Sequence, residues 1–267
     1  MQTSEELKSL VREKYSQLAS APRSTGCCGI PAASDTELFH FMADDYAQTA
    51  GYEQTADLGL GCGLPVQFAQ IRPGDTVVDL GSGAGNDCFV ARHETGETGR
   101  VIGLDFTPAM VAQARANAAR LGYTNVEFVQ GDIEQMPLPE DLADVVVSNC
   151  VLNLVPGKPS AFAELYRILK PGGHFSISDI VTTGELAPQV RQAAELYAGC
   201  VGGAVLEHEY LGMLEAAGFT KIQVQKSRAI EVPEALLTSQ LSAEDIAAFR
   251  ASGAGIRSIT VYGEKPL

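Results

Sequence analysis

Basic residues are scarce in this 267-residue chain: 19 Lys and Arg against 33 Asp and Glu give a formal net charge of −14 and a pI near 4.7. The few cations are scattered, so sequence neighbours assemble no phosphate-neutralising face, and neither nucleic acid nor an anionic membrane is expected as a partner. Long apolar runs are missing too. The most apolar stretch, residues 145–155, is broken by Ser148, Asn149 and Asn153 and falls far short of the ~20 residues a membrane span needs. Residues 1–10 mix Glu5, Glu6 and Lys8 with apolar side chains, unlike the basic start and apolar centre of a secretion signal, so a cytoplasmic location is expected. No C-x-x-C pair occurs among Cys27, Cys28, Cys62, Cys88, Cys150 and Cys200, and the four histidines do not flank them at zinc-finger spacing. In a reducing compartment such cysteines serve more naturally as thiols, ligands or catalysts than as disulfides.

With 45% hydrophobic residues and no internal repeat or low-complexity linker, the chain can bury a full core, and its length suits one α/β domain with additions. Helical periodicity over residues 5–18 fails in the Gly/Pro/Ser-rich loop 21–29, which carries Cys27 and Cys28, and resumes over 35–48 before a glycine-rich stretch at 57–65. From Gly74 short apolar strands alternate with amphipathic helices, the signature of βαβ units and a mostly parallel sheet. Strands are expected at 76–80, 101–105, 126–130, 144–149 and 174–180, with helices at 87–92, 108–121 and 159–169. Helices at 187–198 and 208–217, a strand at 221–226, a helix capped by Ser242 and a last strand at 256–262 follow. The expected division is an N-terminal helical arm with a loop (1–70), an α/β domain (71–231) and a small α+β extension (232–267).

The segment Val77-Val78-Asp79-Leu80-Gly81-Ser82-Gly83-Ala84-Gly85 is a strand ending in a glycine turn, which lets a ligand approach the backbone at the carboxyl end of a sheet. A dinucleotide fingerprint wants glycine where this chain has Asn86, and the turn instead resembles the G-x-G-x-G of class I methyltransferases. Asp105 ends the next strand, where a carboxylate can accept from both ribose hydroxyls, and Asp132 ends the third. Leu169-Lys170-Pro171-Gly172-Gly173 resembles the tight turn before the fifth strand of that superfamily. The resemblance implies a Rossmann-like fold binding S-adenosylmethionine through Asp79, Gly81, Ser82, Gly83, Gly85, Asp105, Phe106, Asp132, Ile133 and Asn149.

Three further strings, Gly59-Leu60-Gly61-Cys62-Gly63-Leu64-Pro65, Ser148-Asn149-Cys150-Val151-Leu152-Asn153-Leu154 and Tyr197-Ala198-Gly199-Cys200-Val201-Gly202-Gly203-Ala204, resemble the arsenite methyltransferase family. The Cys27-Cys28-Gly29 pair and the ending Val261-Tyr262-Gly263-Glu264-Lys265-Pro266 look like its bacterial members, while Phe106 and Leu64 depart from its pattern. The resemblance implies arsenite and methylated arsenicals as substrates, with Cys62, Cys150 and Cys200 as arsenic ligands. It also implies thioredoxin or glutathione as the reductant that reopens a cysteine disulfide. The ligand type suits the chemistry: trivalent arsenic prefers thiolate sulfur, and three thiolates leave its lone pair exposed on the fourth side. Cys27 and Cys28 are expected to capture or relay arsenic, and Cys88 to be a buried helix residue. Two other functions use parts of the same pattern: a quinone- or sterol-type C-methyltransferase, which has no need of three cysteines, and a metalloid-sequestering thiol protein, which has no need of the cofactor turn.

Overall fold

The computed structural model describes residues 4–20, 46–185, 200, 202–231, 237, 238 and 241–267. Cys27, Cys28 and the helix expected at 187–198 lie outside these residues, as does the helix expected at 35–48 except for 46–48, which are not helical.

The described chain runs α1 (Ser4–Ser20), a short α2 (Pro65–Phe68), β1 (Thr76–Leu80), α3 (Asn86–Thr95), β2 (Arg100–Asp105), α4 (Pro108–Leu121), β3 (Val126–Gln130) and β4 (Ala143–Asn149). A 3₁₀ turn (Leu152–Leu154) leads to α5 (Lys158–Ile168), β5 (Leu169–Thr182), β6 (Val205–Leu206), α6 (Glu207–Ala216), β7 (Thr220–Ile230), α7 (Ala243–Ala251) and β8 (Ile256–Glu264). The strands form one sheet in the order β3-β2-β1-β4-β5-β8-β7, with β6 beside β5. Neighbours from β3 to β5 pair parallel, and β8 runs antiparallel to both β5 and β7. This is the mostly parallel, Rossmann-like architecture expected from the alternation of strands and helices.

Strands such as β4, with three consecutive valines, are buried on both faces because helices cover the two sides of the sheet. One apolar cluster packs Phe162, Leu165 and Tyr210 of α5 and α6 against the sheet, and another packs Phe89, Val111 and Ala114 of α3 and α4 against the opposite face. Helix ends follow local chemistry. Pro108 sits in the first turn of α4 and Gly122 closes it at φ +71. The Ser242 hydroxyl accepts from the Asp245 N–H at 3.1 Å and starts α7.

Two expectations about the sheet need adjusting. Leu169–Gly173, read as a turn, is the beginning of β5, where a register irregularity between Ala143 and Val145 of β4 absorbs the Pro-Gly-Gly bend. The last strand of the 232–267 segment inserts between β5 and β7, so the boundary at residue 231 falls within one sheet.

Strand order reverses between β1 and β4, which opens a crevice at their carboxyl ends, the place where open α/β sheets bind ligands.

Candidate active site

The cleft at this switch point is lined by the Gly81–Ala84 turn, Asp105–Thr107, Asp132, Ile133, Asn149, Cys150 and residues of α1. Gly81 is at φ +71, and a Cβ there would strike the Val151 side chain, so only glycine lets the chain leave β1 this tightly. Gly85, at φ +100, caps α3 and aims the helix N-terminus along the turn.

Asp105 is 8% exposed, and its two oxygens accept from the Thr107 N–H at 2.8 Å and the Gly83 N–H at 2.9 Å. Burial pushes its carboxyl above the usual range, while those two amides pull it back. Each oxygen keeps a further lone pair for a ligand hydroxyl. The Ser82 hydroxyl is buried without a hydrogen-bond partner in the same wall. A polar, diol- and amino-acid-bearing ligand such as S-adenosylmethionine fits such a wall, since it would satisfy both groups. Asp79, 2% exposed, is held well above the usual carboxylate range by burial and accepts from the Cys88 thiol at 3.2 Å. Cys88 is thus a buried helix residue with one hydrogen bond.

Helix α1 lies across the cleft. Lys8 forms ion pairs with Asp132 at 2.7 Å and with Glu134, Arg12 stacks over Phe106 at 5.4 Å, and Val11 and Tyr15 face the cavity. Periodicity located this helix; its place over the cleft depends on pairings some 120 residues apart and had no local signal. Its contact with Asp132 was also missed.

The three string cysteines converge. Cys62, Cys150 and Cys200 are 0%, 3% and 2% exposed and share an apolar cluster with Val11, Leu154 and Ile180. The neighbouring Cys200 and Cys62 thiols, with burial, hold the Cys150 thiol well above the ordinary thiol range, and its sulfur lies within 4.8 Å of that of Cys62. Burial likewise pushes Cys62 up. The Cys200 thiol donates to the Cys150 carbonyl at 2.9 Å. Cys150 and Cys200 adopt φ +59 and +70, a left-handed conformation that costs a β-carbon-bearing residue of order 1–3 kcal/mol and that clusters at functional sites. Asp179, wholly buried within β5, was not singled out from the sequence; a carboxylate in the middle of an apolar strand was the available signal.

Asn149 clamps the first cysteine loop. Its side-chain oxygen accepts from the Cys62 N–H at 3.0 Å and the Gly63 N–H at 3.3 Å, and its amide reaches the Tyr46 hydroxyl, the Gly63 carbonyl and Asp87. The Tyr46 hydroxyl donates to Asp87 at 2.6 Å. Burial pushes Asp87 up to about 6. A raised carboxyl keeps its proton in the folded chain where the unfolded chain, near 3.9, has lost it. Its contribution to stability therefore falls as pH rises from about 4 to about 6 and is flat above. Thermal melts across that range should show Asp87→Asn gaining on the wild type as pH rises; a constant difference would place the ionisation elsewhere.

A Rossmann-like sheet with a glycine turn, a strand-end carboxylate and a cleft at the switch point defines the class I methyltransferase architecture. The methyltransferase-domain family model matches residues 71–218, and the chain belongs to that family. It is 42% identical to an arsenite methyltransferase of Halobacterium salinarum over 82% of this chain and 59% of that protein. It is 31% identical to a demethylmenaquinone methyltransferase of Lactococcus lactis over 77% of this chain and 78% of that one. The crystal structure of an arsenic(III) S-adenosylmethionine methyltransferase from Chlamydomonas reinhardtii superimposes with a TM-score of 0.65 at 34% identity, covering 76% of this chain and 66% of that chain. The resemblance to arsenite methyltransferases read from the cysteine strings is thus borne out. The chain spans 59%, 54% and 47% of the length of three arsenite methyltransferases it matches. No helix among the described residues is long and apolar enough to cross a membrane.

Proposed function

We propose that the protein transfers methyl groups from S-adenosylmethionine to trivalent arsenic bound by Cys62, Cys150 and Cys200, as part of arsenic detoxification. The observation that carries this reading is the clustering of three buried thiols, from segments far apart in sequence, of which Cys150 lines the cleft that holds the glycine turn and Asp105. S-adenosylmethionine supplies an electrophilic methyl group on a sulfonium.

The neighbouring thiols and burial keep the Cys150 thiol protonated in the free site, and burial does the same for Cys62. That suits a neutral incoming arsenous acid: each thiol proton leaves with one arsenic hydroxyl as water, so three As–S bonds form without an external base and without leaving net charge in an apolar pocket. The bound arsenic presents its lone pair, and the protein's task becomes one of placement. Asp105 and the 81–85 turn fix one reactant. Asn149, through the Cys62 and Gly63 amides, fixes the loop that holds the other. Methyl addition raises arsenic formally from the trivalent to the pentavalent state. Two electrons from two thiolates, which join as a disulfide, restore it, and thioredoxin or glutathione reopens the disulfide. Cys27 and Cys28 would deliver arsenite to this site.

The test is to incubate purified protein with arsenite, S-adenosylmethionine and a thiol reductant and to speciate arsenic over time, with a demethylated quinone in a parallel arm. Methylated arsenicals are expected. Methylation of the quinone with arsenite untouched would favour the C-methyltransferase reading, and arsenite bound without turnover would favour sequestration.

A further inference from the structure

We propose that the thiol pocket is also a tetrahedral binding site for thiophilic divalent cations of the zinc–cadmium class, with the Asp179 carboxylate as the ligand that arsenic does not use. One ligand atom each from Cys62, Cys150 and Asp179 lies within 4.8 Å of the others, and all three residues are buried. The Cys200 thiol, outside that 4.8 Å group, donates to the Cys150 carbonyl at 2.9 Å in the same buried cluster, and its rotation toward the triad would supply the fourth donor.

A tetrahedral ion holds sulfur at about 2.3 Å and carboxylate oxygen at about 2.0–2.2 Å, so its ligand atoms stand roughly 3.5–3.8 Å apart. Drawing the triad in by about 1 Å forms the site, a movement that side-chain torsions can supply. The carboxylate is already oriented: the Ile180 N–H donates to one oxygen at 2.9 Å and the Tyr210 hydroxyl to the other at 3.2 Å. Such outer hydrogen bonds are what a ligating carboxylate normally carries.

Charge separates the two kinds of guest. Trivalent arsenic on three thiolates is neutral and trigonal, so it gains nothing from a fourth, anionic donor. A divalent cation on three thiolates and a carboxylate carries two net negative charges, and Lys158, whose ammonium donates to the Gly203 carbonyl at 2.8 Å, supplies positive potential at Asp179. The pocket thus offers arsenic three sulfurs and offers a divalent ion a closed site made from the same sulfurs plus one oxygen. Occupation by the divalent ion would exclude arsenite.

The experiment titrates reduced, metal-free, full-length protein with cadmium and follows the ultraviolet sulfur-to-cadmium charge-transfer band, with arsenite as competitor. Arsenite should displace the band. In Asp179→Asn, which keeps the size of the side chain and one acceptor oxygen for the Ile180 N–H but loses the anionic ligand, cadmium affinity should fall by about 10-fold or more, while arsenite affinity stays within about twofold and so reports that the pocket is folded. Thiols elsewhere in the chain are common to both proteins and cancel. Aspartate-13C-labelled wild type gives a second readout that needs no substitution: one carboxyl resonance should move on adding cadmium and none on adding arsenite. Equal cadmium affinity in the two proteins, or no carboxyl resonance moved by cadmium, would overturn the proposal. Neither readout involves methyl transfer, so failure of the proposed enzymatic activity would leave it standing, and the reverse holds as well.

Discussion

Cys150→Ser is expected to lower the rate of arsenite methylation at limiting arsenite by at least about 100-fold, because a hard, neutral hydroxyl does not replace a thiolate on a soft metalloid. Cys150 is the central member of the cluster: its sulfur lies within 4.8 Å of that of Cys62, and its carbonyl accepts from the Cys200 thiol at 2.9 Å. In the proposed site, losing its sulfur would remove one As–S bond and also the group that spaces the other two. Cys62→Ser and Cys200→Ser should fall in the same direction. Cys88→Ser is the control, since that side chain is equally buried yet only donates to Asp79, a role a serine hydroxyl can take over. Initial rates against arsenite for the four variants, with circular dichroism to confirm folding, check the expectation. Wild-type turnover in folded Cys150→Ser would sink the three-thiolate site.

The sheet was legible because its strands are short β-branched runs closed by turn residues. β1 and β3 coincide with the spans expected, and β2 and β4 begin one residue earlier. Elements lacking that punctuation were misread at their edges. β5 starts in a Pro-Gly-Gly sequence because pairing with β4 and β8 overrides local turn preference, and β7 extends to Ile230 because the run from Lys226 to Ile230 pairs with β8 rather than with a local partner. The glycine turn and strand-end acids could be found in the same way, since each follows a readable strand.

Residues that act across distance could not. Asn149 was read as a cofactor contact from its position at the end of β4, yet its side chain also grips the loop at Cys62 and Gly63, 87 and 86 residues earlier. Lys8 reaches Asp132 over 124 residues. No spacing rule encodes such pairings, because they depend on the packing of α1 and the 61–63 loop onto a finished sheet.

Asp105→Ala should weaken S-adenosylmethionine binding by about 1.5–3 kcal/mol, roughly 10- to 150-fold in Kd, the range for losing hydrogen bonds to a charged group. The free carboxyl is raised by burial, so ligand hydroxyls that donate to it also restore part of the solvation it lost on folding. Asp105 has a second task, holding the Gly83 and Thr107 amides, and alanine would leave both without their acceptor. Asp105→Asn separates the two contributions: it keeps one acceptor oxygen for the turn and loses the charge. Calorimetry should therefore rank affinity as wild type, then Asp105→Asn, then Asp105→Ala, while arsenite affinity, set by thiols in a neighbouring apolar cluster, stays near that of the wild type. Unchanged cofactor affinity in a folded Asp105→Ala protein would remove this carboxylate from the cofactor site and leave the unpartnered Ser82 hydroxyl and the glycine turn as the groups to test next.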